Sequence, residues 1–172
     1  MPKRQGGRRA PGLELQCQDP LAYAPGVTAI RTPEGRVLGK HVGLAFYTIG
    51  QRKGIGIGGV KDGGTQGEAW YVAGKDMEKN ELVVVCGHGH PLLQRDSLRA
   101  ADLSWVSVNA PDAAAAYAAK TRYRQADALC RISVLEPDVR EFRFDQPQWA
   151  VAPGQSAVLY QGEVCLGGGV IQ

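Results

Sequence analysis

The chain contains no apolar run near the roughly 18 residues that a membrane-crossing helix needs. Its first residues, MPKRQGGRRAPG, are basic and lack the apolar stretch of a secretory signal. No membrane contact is expected, and the cytoplasm is the expected location. Histidines are scarce: His41, His88 and His90 are too scattered for a metal site, and the GHGHP run reads as a polar loop. The cysteines, Cys17, Cys86, Cys130 and Cys165, form no CxxC pair, which excludes the common zinc and dithiol motifs. Cys130 and Cys165 sit in the apolar runs ALCRISV and EVCLGGG and are read as buried thiols. A dinucleotide fingerprint is missing too. GIGIGG has the glycines, but a further Gly-rich loop follows it where a helix should open.

What is present is an ordinary globular composition with an uneven charge. The 172 residues are 44% hydrophobic and suffice for one ordinary domain or two small ones. Residues 1–60 hold nine Lys and Arg against three Asp and Glu, whereas residues 61–172 hold eleven against fourteen. A basic portion beside a mildly acidic one fits contact with a polyanion, although a solvated tail gives the same count.

The most informative stretch is GLAFYTIGQRKGIGIGG, residues 43–59. Phe46 and Tyr47 offer flat faces, Arg52 and Lys53 neutralise phosphates, and the glycines admit close backbone approach. On this chemistry Arg52 and Lys53 are candidate nucleic-acid contacts, and the segment is expected at a surface. GLAFYTIGQ itself fits either two helical turns or a strand, with KGIGIGGVKDGGTQG as a mobile loop. Asp62, Asp76 and Glu78 lie in polar turns and read as solvated carboxylates.

Short strands dominate elsewhere. PGVTAIRTPEGRVLG reads as two extended pieces about a Pro-Glu-Gly turn, and EAWYVAG with ELVVVCG as a hairpin across Lys75–Asn80. LRAADLSWVSV, AKTRYRQ, LCRISVLE, VREFRFD, SAVLYQG and EVCLGGGVI follow as strands, with PDAAAAYAAK as a loop or single helical turn. The spacing of Val139, Phe142 and Phe144 points to a bulge near Arg140–Glu141. Trp70, Trp105 and Trp149 lie in apolar runs and are read as core or inter-domain packing. Strands this short and this regularly spaced form a small antiparallel barrel or a sandwich.

HVGLAFYTIGQRKGIGIGG, AWYVAGKD, KTRYRQ, PQWAVAPGQSAVLY and GEVCLGGGVI resemble, in order and spacing, the C-terminal half of bacterial tRNA-specific 2-thiouridylases, from Pro25 to Gln172. The resemblance implies a mainly β fold. It would comprise a small α+β central module followed by an antiparallel β-barrel of about six strands, of the translation-factor type. The division expected is a basic leader (1–20) outside the family, a central Gly-rich module (21–90) and the barrel (91–172). The family's reaction puts sulfur on the wobble uridine of tRNA, using ATP and a cysteine persulfide.

The family's phosphate-binding Ser-Gly-Gly-x-Asp-Ser run does not occur here. ATP is therefore expected to serve a PP-loop domain outside this chain, no cofactor is expected within it, and the chain alone is expected to be inactive. Cys17, flanked by Gln16 and Gln18, does not match the Cys-x-Ile-Gly context of the persulfide cysteine. By the same resemblance Arg122, Tyr123 and Gln155 correspond to positions that contact tRNA. The solvated alternatives are a strand face for the pair and a turn residue for Gln155. The expected partner is the anticodon arm of tRNA. The alternatives are a module docking a separate PP-loop subunit and a truncated, non-functional remnant.

Overall fold

The computed structural model describes residues 28–57, 68–107, 110–113, 115–123 and 125–172. Residues 1–20, with Cys17, and Asp62 lie outside that set.

The first module is a four-stranded sheet. β1 (Ala29–Arg31) and β2 (Val37–Lys40) flank the Pro33-Glu34-Gly35 turn, closed by hydrogen bonds between Thr32 and both Gly35 and Arg36. β3 (Trp70–Asp76) and β4 (Glu81–Cys86) form the expected hairpin, and Asp76 Oδ1 accepts the Lys79 amide at 2.9 Å in its turn. The order is β2-β1-β4-β3, with β1 and β4 parallel and the other pairs antiparallel. Ile30, Val72, Leu82 and Val84 project from one face of the sheet into the core.

The Gly-rich segment covers that face, and here the structure departs from the expectation of a surface loop. Leu44, Tyr47, Ile55 and Ile57 are buried against the sheet, and only Phe46 of the aromatic pair is exposed. GLAFYTIGQ forms neither two α-turns nor a strand but a short 3-10 turn, Leu44–Phe46. Gly54 and Gly56 take positive φ values, so the two isoleucines between and after them turn into the core. The glycines fold the chain over its own sheet. The rest of that loop, 58–67, lies outside the described residues.

The second module is a barrel. A 3-10 turn at Pro91–Leu93 leads into β5 (Gln94–Trp105). There follow β6 (Ala116–Lys120), β7 (Ala128–Glu136), β8 (Val139–Trp149), β9 (Ser156–Gln161) and β10 (Val164–Ile171). They close in the order β10-β5-β8-β7-β6-β9, each pair antiparallel. Alternation decides the core: Tyr117 and Ala119, Cys130 and Ile132, Phe142 and Phe144, and Ala157 and Leu159 all point inward. At the seam, a Cβ on Gly168 would fall on the Ala157 carbonyl.

Three local expectations change. The Ala-rich segment is strand β6, because Tyr117 and Ala119 fill the barrel and pairing with β7 and β9 outweighs alanine's helical preference. AKTRYRQ is strand only to Lys120; a turn begins at Thr121, with the Gln125 amide donating to the Arg122 carbonyl. The bulge falls on β7, where the register skips Leu135, across from Val139 and Arg140 rather than at Arg140–Glu141.

Candidate nucleic-acid interface

The turn after β6 is built before its surface chemistry. Thr121 is buried, and its hydroxyl donates to Gln125 Oε1 at 2.7 Å. Gln125 donates in turn to buried Gln148, whose amide donates to the Gln146 carbonyl at 2.8 Å. This polar chain ties the turn to β8 with its inner groups satisfied. It also decides where the next two residues go.

Arg122 points back under the turn. Its Nη2 donates to the Ile49 carbonyl at 3.0 Å and the Ala150 carbonyl at 2.9 Å. Its guanidinium carbon lies 5.3 Å from the centre of the Trp149 ring. Partial burial pulls the guanidinium below its ordinary pKa, yet an arginine remains charged in water. Tyr123 points the other way and is 94% exposed.

Trp149 occupies the junction between the modules. Its ring stacks on His88 at 4.4 Å and meets the edge of Tyr71 at 5.8 Å, and Nε1 donates to the His88 carbonyl at 2.9 Å. Gly50 lies against the same ring: a Cβ there would come within 2.5 Å of the Ala150 Cβ. The reading of Trp149 as inter-domain packing thus holds, while Trp70 and Trp105 pack against the cores of their own modules.

Gln155 sits in the turn before β9, where its amide donates to the Ala152 carbonyl and its carbonyl accepts from Ile171. Its side-chain Oε1 is buried without a hydrogen-bond partner among the described residues. Arg122, Tyr123 and Gln155 line one cleft of about 560 Å3, together with Lys120 and Tyr160. Lys120 Nζ lies 5.2 Å from the centre of the Tyr160 ring and pairs with Asp127 at 3.0 Å, which raises its pKa. The cleft therefore offers cations and aromatic faces, with the Gln155 acceptor buried in its wall. Lys120 opens the KTRYRQ stretch and Tyr160 ends PQWAVAPGQSAVLY, but neither is singled out there as a site residue; the pairing of β6 with β9 brings them together.

Arg52 and Lys53 are not part of this cleft. Both are exposed in the turn that follows Ile49 and Gly50, where Gln51 Nε2 donates to the Lys53 carbonyl at 2.9 Å. A further cleft of about 590 Å3 runs between the modules beside Lys75 and Arg95, and Met77 and Leu92 line it.

The thiols correct one expectation. Cys130 is buried in the barrel, and desolvation pushes its pKa up to about 11. Cys165 is exposed, not buried, because it opens β10 on the outer face ahead of the register shift near Gly167. Cys86 is half-buried, with a pKa raised by desolvation. Among the described residues no cluster of three His, Cys, Asp or Glu could hold a metal ion, and no helix is long and apolar enough to cross a membrane.

The chain thus pairs a four-stranded module with a closed six-stranded barrel, and each part matches a family model. Residues 18–86 match the tRNA methyl transferase PRC-barrel domain, and residues 95–171 the aminomethyltransferase beta-barrel domain. The chain is 63% identical over 143 residues to the tRNA-specific 2-thiouridylase of Cupriavidus metallidurans, covering 83% of this chain and 39% of the relative. It is 61% identical over 140 residues to that of Thiobacillus denitrificans, covering 81% and 38%. For the Bordetella avium enzyme the identity is 61% over 155 residues, covering 88% and 40%. The chain belongs to the tRNA-specific 2-thiouridylase family and corresponds to its C-terminal part, spanning about 40% of the length of these relatives.

Proposed function

We propose that this chain grips the anticodon arm of tRNA for a 2-thiouridylase reaction whose chemistry lies in the part of the relatives that it does not span. The observation that supports the reading is the cleft itself, in which Tyr123, Gln155, Arg122, Lys120 and Tyr160 converge. RNA recognition uses such a mixture: aromatic faces for unstacked bases, cations for phosphates and acceptors for base edges. Tyr123 provides a free stacking face, and Gln155 Oε1 accepts from a base N–H once the side chain turns outward. Arg52 and Lys53 add phosphate contacts from the first module.

ATP activation and persulfide delivery belong, in this reading, to a PP-loop domain of the family, so the chain alone binds tRNA in the cytoplasm and does not thiolate it. The test is binding of an isolated anticodon stem-loop against an acceptor-stem minihelix of equal charge. Preference for the stem-loop supports the proposal; equal affinity reduces the surface to a nonspecific cation.

A second reading, a module that docks a separate PP-loop subunit, draws on Val42 and Phe46. They are 79% and 73% exposed around the Leu44–Phe46 turn, an unusual pair of solvated apolar side chains. A stable complex with such a subunit, and no affinity for the stem-loop, would favour it.

A further inference from the structure

We infer that Arg122 is a positioning residue: it locks the barrel to the first module and thereby sets the Arg52–Lys53 turn beside the Tyr123–Gln155 cleft.

The guanidinium is already engaged inside the protein. One nitrogen serves two carbonyls, Ile49 of the first module and Ala150 of the barrel, and the plane of the group lies over Trp149. The two acceptors are 73 and 28 residues away in sequence, so this single side chain bridges three separate stretches of chain. A cation meant for phosphate is normally left solvated; this one is partly buried against backbone dipoles and an indole face. Each acceptor is itself anchored in its own module: the Gly50 amide donates to Val72 at 2.7 Å and the Val72 amide to Gln51 at 3.0 Å in the first, and the Ala150 amide donates to Leu93 at 2.6 Å in the second.

The consequence concerns the two cation sets. Ile49 lies three residues before Arg52, and Tyr123 directly follows Arg122. The latch therefore holds the exposed Arg52–Lys53 turn within a few residue lengths of Tyr123, close enough for one strand of an RNA hairpin to meet both. Trp149 keeps the modules in contact through His88 and Tyr71; Arg122 adds the lock on their relative orientation, and without it the two sets no longer keep one spacing. This second step rests on the proposed tRNA function; the latch itself does not.

The experiment separates them. Residual dipolar couplings are measured on the full chain, wild type and Arg122→Ala, for the amides of the two sheets. The wild type fits one alignment tensor, and Arg122→Ala requires two while each sheet keeps its own fold. Gly50→Ala tests the same junction without touching Arg122, since its Cβ would meet Ala150 and the Trp149 ring; it too requires two tensors. A single tensor in both variants overturns the latch.

Stem-loop binding then tests the consequence. Arg52→Ala/Lys53→Ala weakens binding at least about fivefold in the wild-type background, as expected for two lost phosphate contacts, and less than twofold in Arg122→Ala or Gly50→Ala. If Arg122→Ala weakens binding, Gly50→Ala does not and the double substitution acts equally in every background, Arg122 is a direct phosphate contact and the inference is overturned. Two tensors in the variants, with no stem-loop binding even by the wild type, would leave the latch standing and remove the tRNA reading.

Discussion

The Arg122 guanidinium carbon lies 5.3 Å from the centre of the Trp149 ring, and one of its nitrogens holds the carbonyl of the next residue, Ala150, at 2.9 Å. The pair joins the turn after β6 to the end of β8 at the edge where the first module packs. Net hydrogen bonds from a charged donor contribute about 1.5–3 kcal/mol, and a cation over an indole roughly 0.5–2 kcal/mol. Arg122→Ala is expected to lower stability by about 2 kcal/mol, read as a shift in the urea midpoint. An unchanged midpoint would mean the latch is thermodynamically idle.

Tyr123 should behave in the opposite way. With its side chain in solvent, Tyr123→Ala should change stability by less than about 0.5 kcal/mol. Loss of a stacked base costs about 1–3 kcal/mol, so stem-loop affinity should fall about tenfold. Adjacent residues thus separate stability from binding, in denaturation and titration run on the same two variants.

Gln155 offers a third contrast. Its buried Oε1 has no partner among the described residues, and an unsatisfied acceptor costs on the order of 1–3 kcal/mol. Gln155→Leu should therefore raise the melting temperature while weakening stem-loop binding. A lower melting temperature would show that the side chain supports the β9 turn.

The thiols predict an order of reactivity. Among the three described cysteines, peptide mapping after thiol reagent at neutral pH should find Cys165 modified before Cys86, and Cys130 last. The folded state keeps the Cys130 thiol protonated up to about pH 11, while the unfolded chain releases that proton near pH 9. Stability from this group is complete below pH 9 and declines between about pH 9 and 11. Cys130→Ala should flatten that part of the pH–stability curve.

The strands with strict alternation were legible in the sequence. SAVLYQ places Ala157 and Leu159 inward and leaves Val158 and Tyr160 to line the cleft, and the ELVVVC hairpin lies where the polar Lys75–Asn80 run puts it. Segments read from composition were harder. Alanines in β6 carry no strand signal because the pairing that selects them comes from β7 and β9. The glycines at 54 and 56 resemble a loop until Ile55 and Ile57 are seen to need a sheet to cover. Cys165 looked apolar by its neighbours, yet its register position faces out. For the site, motif resemblance named Arg122, Tyr123 and Gln155 and the structure gathers them, but the partners that hold Arg122 are distant in sequence and leave no local trace.

The most direct test of the account is the affinity of the purified chain for an anticodon stem-loop at about 50 mM and about 200 mM salt. Release of counterions from several neutralised phosphates predicts binding that weakens at least about tenfold across that range. No binding at the lower salt, or an affinity indifferent to salt, would contradict a tRNA-gripping role.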